Sequence, residues 1–182
     1  LYKKKFHKIY VFMPQTSRNS LKPNIFEVLP EDQVFEELNL ENIQYVYEKL
    51  KENSENGHKS LIIMDDVQKA LKRNDVINEF KNIVANQRHL KVVNIILLQN
   101  YYALDHKVTE FVNNVIFFKM DKKQTEKIFE EVAEMPKEIF EQVIKIVFDE
   151  PHNWCFINQR YKRVYKMFDE IIFDEEDDDE LE

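Results

Sequence analysis

Residues 60–67 read SLIIMDDV, an apolar run that ends in two adjacent carboxylates, Asp65 and Asp66. A strand apolar on both faces belongs inside a sheet covered by helices on each side, the usual setting of parallel strands. In open α/β sheets, ligands bind at the carboxyl ends of the strands. A carboxylate placed there can hold a hydrated Mg²⁺, which prefers oxygen ligands and keeps several waters. A second acid beside it can orient or deprotonate an attacking water. The same pair also suits a helix N-cap or a solvated turn.

Working outward from this stretch, the pattern alternates. KIYVFMP (8–14) is a short apolar strand stopped by Pro14, and PQTSRNSLKPN (14–24) is loop by composition. ENIQYVYEKL (41–50) places Ile43, Val46, Tyr47 and Leu50 at helical spacing, and NSENGHK (53–59) ends that helix near Gly57. NDVINEFKNIVANQ (74–87) is amphipathic, with Ile77, Phe80 and Val84 on one face and Asn74 as its cap. VVNIILLQN (92–100) is a second continuous apolar strand and NVIFFKM (114–120) a third, with a helix around 105–112 between them. Helices follow at 124–133 and 137–148, then strands at 153–159 and 170–173 that close the sheet at its edges. The expected fold is α/β and three-layered, a mainly parallel sheet flanked by helices. It is expected to form one domain over 1–173.

The remainder, DEEDDDELE (174–182), holds eight acids and no base, and is expected to be a disordered acidic tail. It accounts for the whole net charge of −8, because the acids left in the body equal the 26 lysines and arginines. The acidic balance therefore neither favours nor excludes a polyanionic partner for the folded part. A content of 43% hydrophobic and 13% aromatic residues is that of a globular chain. No window approaches the ~18 uninterrupted apolar residues of a membrane span, and nothing resembles a secretory signal. The single Cys155 fits a reducing intracellular compartment and reads as a core residue rather than a nucleophile. A chain opening on Leu1 is expected to be part of a longer one.

Strand 92–98 delivers Gln99 and Asn100 to the same carboxyl end as Asp65 and Asp66. An amide there can feel a terminal phosphate and position water, since it both donates and accepts. Arg88 precedes that strand and so belongs at its opposite end, out of reach of its own site. In a ring it could serve a neighbour's site as a finger stabilising phosphoryl charge; otherwise it is an exposed loop arginine. Two short basic clusters, Lys3–Lys5 with His7 and Lys8, and Arg160, Lys162, Arg163 and Lys166 interleaved with Tyr161 and Tyr165, suit nonspecific phosphate contact or a solvated edge.

The ordered set FHKIYVFMPQ, KSLIIMDDV, QRHLKVVNIILLQNYYAL and NNVIFFK resembles the viral DNA-packaging ATPases of the FtsK–HerA class, and most of all the poxvirus-type enzymes of large DNA viruses. It spans roughly residues 5–120. The resemblance implies a RecA-like P-loop NTPase that uses ATP and Mg²⁺, forms a homo-oligomeric ring and drives double-stranded DNA into a capsid. It implies Asp65 as the Walker B acid bound to Mg²⁺ through water, Asp66 as its catalytic neighbour, Gln99 as the polar sensor and Arg88 as a trans-acting finger. Capsid or nuclease proteins are further implied partners. The implied location is intracellular and cytoplasmic, and for a viral protein the viral factory or the virion.

Two departures qualify the match. A GxxxxGK[ST] loop needs two glycines for backbone N–H groups to cradle phosphate, and the chain has only Gly57. The Walker A loop and the first core strand are therefore expected to be missing. Many relatives carry an arginine after the sensor where this chain has Thr109. The alternative is a degenerate, non-catalytic relative acting as an interaction or structural subunit. A non-viral conjugation or segregation pump is a third reading. The acidic tail is expected either to mimic DNA or dock on a basic partner, or to act only as a solubilising end.

Overall fold

A computed structural model describes residues 5–173. They form two compact units that divide between Phe111 and Val112. In the first, β1 (Lys8–Phe12) leads into α1 (Gln15–Ser20), a short helix within the stretch expected to be loop. Pro14 explains the switch, because its ring ends the strand yet fits the position just before a helix. The chain continues through β2 (Val34–Phe35), α2 (Leu40–Glu55), β3 (Ser60–Asp65), α3 (Gln68–Leu71), α4 (Asn74–Ala85), β4 (Val92–Leu97) and α5 (His106–Thr109). The strands are all parallel, in the order β2-β1-β3-β4. This is the helix-flanked parallel sheet expected from the alternating pattern.

Local chemistry explains the helix limits. The Asn39 side chain caps α2 by accepting from the Asn42 N–H at 2.9 Å. Beyond its other end Gly57 adopts φ +77°, a left-handed turn that ends the helix. Arg73, not Asn74, stands at the cap position of α4, with no side-chain cap bond. Helix α2 covers the sheet face bearing Tyr10 and Ser60, and its Asn53 amide donates to the Tyr10 hydroxyl at 3.1 Å and to Ser60 Oγ at 3.2 Å. Phe12, Ile62, Met64, Val46 and Phe80 are fully buried in this unit.

Strand β4 departs from the expectation of burial on both faces. Among the described residues it has a neighbour on one side only, and Val93, Ile95 and Leu97 of one face remain 46%, 38% and 48% exposed. On its other face the Asn94 side-chain nitrogen and oxygen are buried with no hydrogen-bond partner among the described residues. Such an open, apolar edge is a ready template for further pairing.

The second unit holds β5 (Asn114–Phe118), α6 (Lys122–Ile128), a wide turn of helix over Phe129–Ala133, α7 (Lys137–Val147), β6 (Trp154–Asn158), β7 (Arg163–Lys166) and β8 (Asp169–Glu170). The third strand expected for the parallel sheet instead starts a separate antiparallel sheet, β5-β6-β7-β8. Apolar composition marks a residue as strand but does not choose its neighbour. The closing strands at 153–159 and 170–173 accordingly pair here, as 154–158 and 169–170, and not at the edges of the parallel sheet. Phe117, Phe129 and Phe140 pack ring against ring beneath this sheet, with centroids 6.0 Å and 4.6 Å apart. The tail 174–182 lies outside the described residues.

Candidate active site

Parallel pairing puts every strand's carboxyl end on one edge of the first unit. Phe12 pairs with Met64 and Asp65 with Leu97, so the segments following β1, β3 and β4 emerge side by side. Asp65 is the last residue of β3 and half-buried. Burial pushes its carboxyl above the usual carboxylate range, and the Asp66 charge pushes the same way, opposed by a hydrogen bond from the Asp66 backbone N–H. Asp66 is exposed and left-handed, with φ +56°. Asp tolerates that region better than most residues with a Cβ, but conformations of this kind concentrate at functional sites. Helix α3 begins after Val67 with no side-chain cap, so neither aspartate is spent as an N-cap.

The structure adds a residue that the sequence reading passed over. Ser17, on α1, donates its hydroxyl to Asp66 Oδ2 at 3.0 Å across 49 residues of chain. The neighbouring Arg18 pairs with Glu36 at 3.2 Å, which ties α1 to the segment after β2. Ser17 sits just past the carboxyl end of β1. The rule that singled out Asp65 and Gln99 applies equally to it, but the stretch 14–24 reads as featureless polar loop.

Gln99 lies exposed in a bend two residues past β4, on the same edge as the aspartates. Asn100 is already used, accepting the Tyr102 N–H at 2.8 Å. Arg88 is exposed in the turn before β4. Val92 to Leu97 is five strand steps of about 3.3 Å, which holds Arg88 about a strand's length from Asp65. Thr109 is buried, and its hydroxyl donates to the His106 carbonyl at 2.7 Å, so it cannot stand in for an exposed arginine.

The other sequence candidates resolve more simply. Lys162, Arg163 and Lys166 pair with Glu134, Glu170 and Asp149 at 2.9, 3.2 and 2.7 Å, which leaves little of that cluster free for phosphate. Cys155 is fully buried, and burial raises its thiol to about 12, so it is an inert core residue.

A divalent cation at this edge would offset the Asp66 charge that, after burial, adds to the raising of the Asp65 carboxyl. Among the described residues no three His, Cys, Asp or Glu side chains cluster as a metal cage. A cation here would be held by Asp65 through water, as Mg²⁺ commonly is.

The sequence matches the family described as Poxvirus A32 protein over residues 2–181. The chain belongs to this family. It is similar in fold to the DNA-packaging ATPase B204 from Sulfolobus Turreted Icosahedral Virus, with TM-score 0.67 and 16% identity over 93% of this chain and 85% of that one. It is also similar to the genome packaging NTPase B204 from Sulfolobus turreted icosahedral virus 2. In complex with AMP that protein matches at TM-score 0.63 and 14% identity, over 94% of this chain and 86% of that one. With AMPPCP the values are 0.63 and 12%, over the same shares. No curated protein matches the chain. Family and fold agree with the FtsK–HerA resemblance carried by the double acid and the ordered strands. Among the described residues no helix is long and apolar enough to cross a membrane.

Proposed function

We propose that this chain forms the Walker B half of an ATP-driven viral genome-packaging motor, a homo-oligomeric ring that translocates double-stranded DNA into a capsid. The observation that carries the reading is the placement of Asp65, Asp66 and Gln99 on one carboxyl edge of a parallel sheet, in a chain of the A32 family. Asp65 would hold Mg²⁺ through water, and the bound ion would neutralise phosphate charge. Asp66 orients and deprotonates the attacking water, with its carboxylate steered by the Ser17 hydroxyl. Gln99 faces the terminal phosphate, and Arg88, about a strand's length from its own site, serves the next subunit. The glycine-rich phosphate loop is not within these 182 residues, whose one glycine ends α2. Capsid or nuclease proteins are the further partners proposed, in the cytoplasmic viral factory or the virion.

Thr109 favours a second reading. Its hydroxyl is closed onto His106 near the point where the resemblance implies an arginine, as expected of a non-catalytic subunit that keeps the fold and loses the chemistry. Calorimetry with Mg²⁺ and ATP separates the two, on this chain alone and on a longer chain carrying a Walker A segment. Negligible turnover alone, with binding and turnover in the longer chain that fall about 10²–10⁴-fold in Asp66→Asn, is the expected result. No binding by either chain would overturn the motor reading.

A further inference from the structure

The second unit carries a groove of about 300 Å³ that plays no part in the proposed nucleotide site. Phe140, Ile144 and Phe148 form its wall, and Lys119, Lys122 and Lys145 stand around it. Lys122 only grazes Glu126 and Glu141, at 3.7 and 3.9 Å. Among the described residues Lys119 and Lys145 have no ion pair, although most of the other lysines and arginines of this unit do. Glu141 is the one acid lining the groove, so an apolar slot is left with a net positive rim. An occupant matched to it would offer one apolar side chain flanked by acids.

The chain itself contains such a segment. Residues 174–182 read DEEDDDELE, in which Leu181 is the sole apolar residue, set between Glu180 and Glu182 and preceded by a run of acids. We infer that this tail docks in the groove, with Leu181 against Phe140 and Phe148 and the flanking carboxylates on Lys119, Lys122 and Lys145. Charge complementarity selects this occupant: the body is neutral, and the chain's whole charge excess sits in these nine residues. Reach allows it. Strands β5 and β8 are three strand spacings apart, about 14 Å, and nine residues extend to about 30 Å. Ion pairs at an open rim are weak singly, so the apolar anchor fixes position while the acids supply attraction that salt screens.

Disulfide trapping in the full chain tests this directly, and Cys155 does not interfere because it is buried with its thiol raised to about 12. Leu181→Cys is combined with Ile144→Cys in the groove, or with Gln142→Cys, which is exposed on the same helix and turned about 200° away. Mild oxidation should link the Ile144→Cys pair about tenfold faster. That advantage should shrink in 0.5 M salt and on adding Lys119→Glu and Lys145→Glu. A linked monomer or a linked dimer both support docking, and they distinguish the chain's own groove from that of a second copy. Leu181→Asp alone should raise amide exchange across Lys137–Val147 severalfold. Equal trapping at the two positions, together with unchanged exchange, would overturn the inference. Protection of Ile144→Cys by a DNA duplex with no such preference would assign the groove to nucleic acid instead.

Discussion

Asp66 is expected to occupy its place at a conformational cost, and a substitution series can measure it. Its φ of +56° lies in the left-handed region, where a residue with a Cβ is disfavoured by about 1–2 kcal/mol. Asp pays less than most, because its short polar side chain makes local hydrogen bonds. Asp66→Ala keeps the Cβ, loses that compensation and loses the acceptor for Ser17. It should destabilise the first unit by about 1–1.5 kcal/mol. Asp66→Gly removes the steric cost and the like charge beside Asp65, but adds unfolded-chain entropy and also loses the Ser17 bond. These terms nearly cancel, so Gly should lie within about 0.5 kcal/mol of the parent and clearly above Ala. Asp66→Asn keeps both the tolerance and the acceptor and should match or exceed the parent, while losing the catalytic carboxylate. Urea unfolding followed by far-UV circular dichroism is the suitable assay, since the single Trp154 reports on the second unit. An Ala variant as stable as the Gly variant, at unchanged m-value, would show that Asp66 is not left-handed and refute the strained-turn account.

Asp65 supplies a pH prediction. Its folded carboxyl titrates above its unfolded value, so its contribution to stability is fully present below the unfolded range and is lost as pH rises through the folded one. Asp65→Asn should therefore be more stable than the parent at neutral pH, with the difference vanishing in acid; urea midpoints from about pH 3 to pH 8 would show it, and a pH-independent difference would contradict it. Asn94 supplies a packing prediction, since both of its side-chain polar atoms are buried without partners among the described residues. Asn94→Val should stabilise the isolated chain by about 1–3 kcal/mol in chemical denaturation, whereas an equal loss would reveal a partner such as a bound water.

The double acid, the alternation of apolar strands with amphipathic helices, and the missing phosphate loop are all legible in the sequence because each is a local property. An apolar run of six residues has to be buried, a polar residue after it has to lie at its end, and a chain with one glycine cannot build a two-glycine loop. Asp65, Asp66, Gln99 and Arg88 could therefore be placed at strand ends before any pairing was known. Strand partnership is not local. NVIFFKM looks as apolar as SLIIMDDV, yet it pairs antiparallel with 154–158, because what selects a strand's neighbour is the geometry of connection and the edge available to it. Ser17 was illegible for the same reason: 49 residues separate it from Asp66, and only the parallel register of β1 with β3 sets a serine hydroxyl beside that carboxylate. Sequence by itself determined which chemical groups this protein owns and which strand ends carry them. Tertiary structure alone decided which of them meet, since burial acts on single residues while pairing and register join segments far apart in the chain.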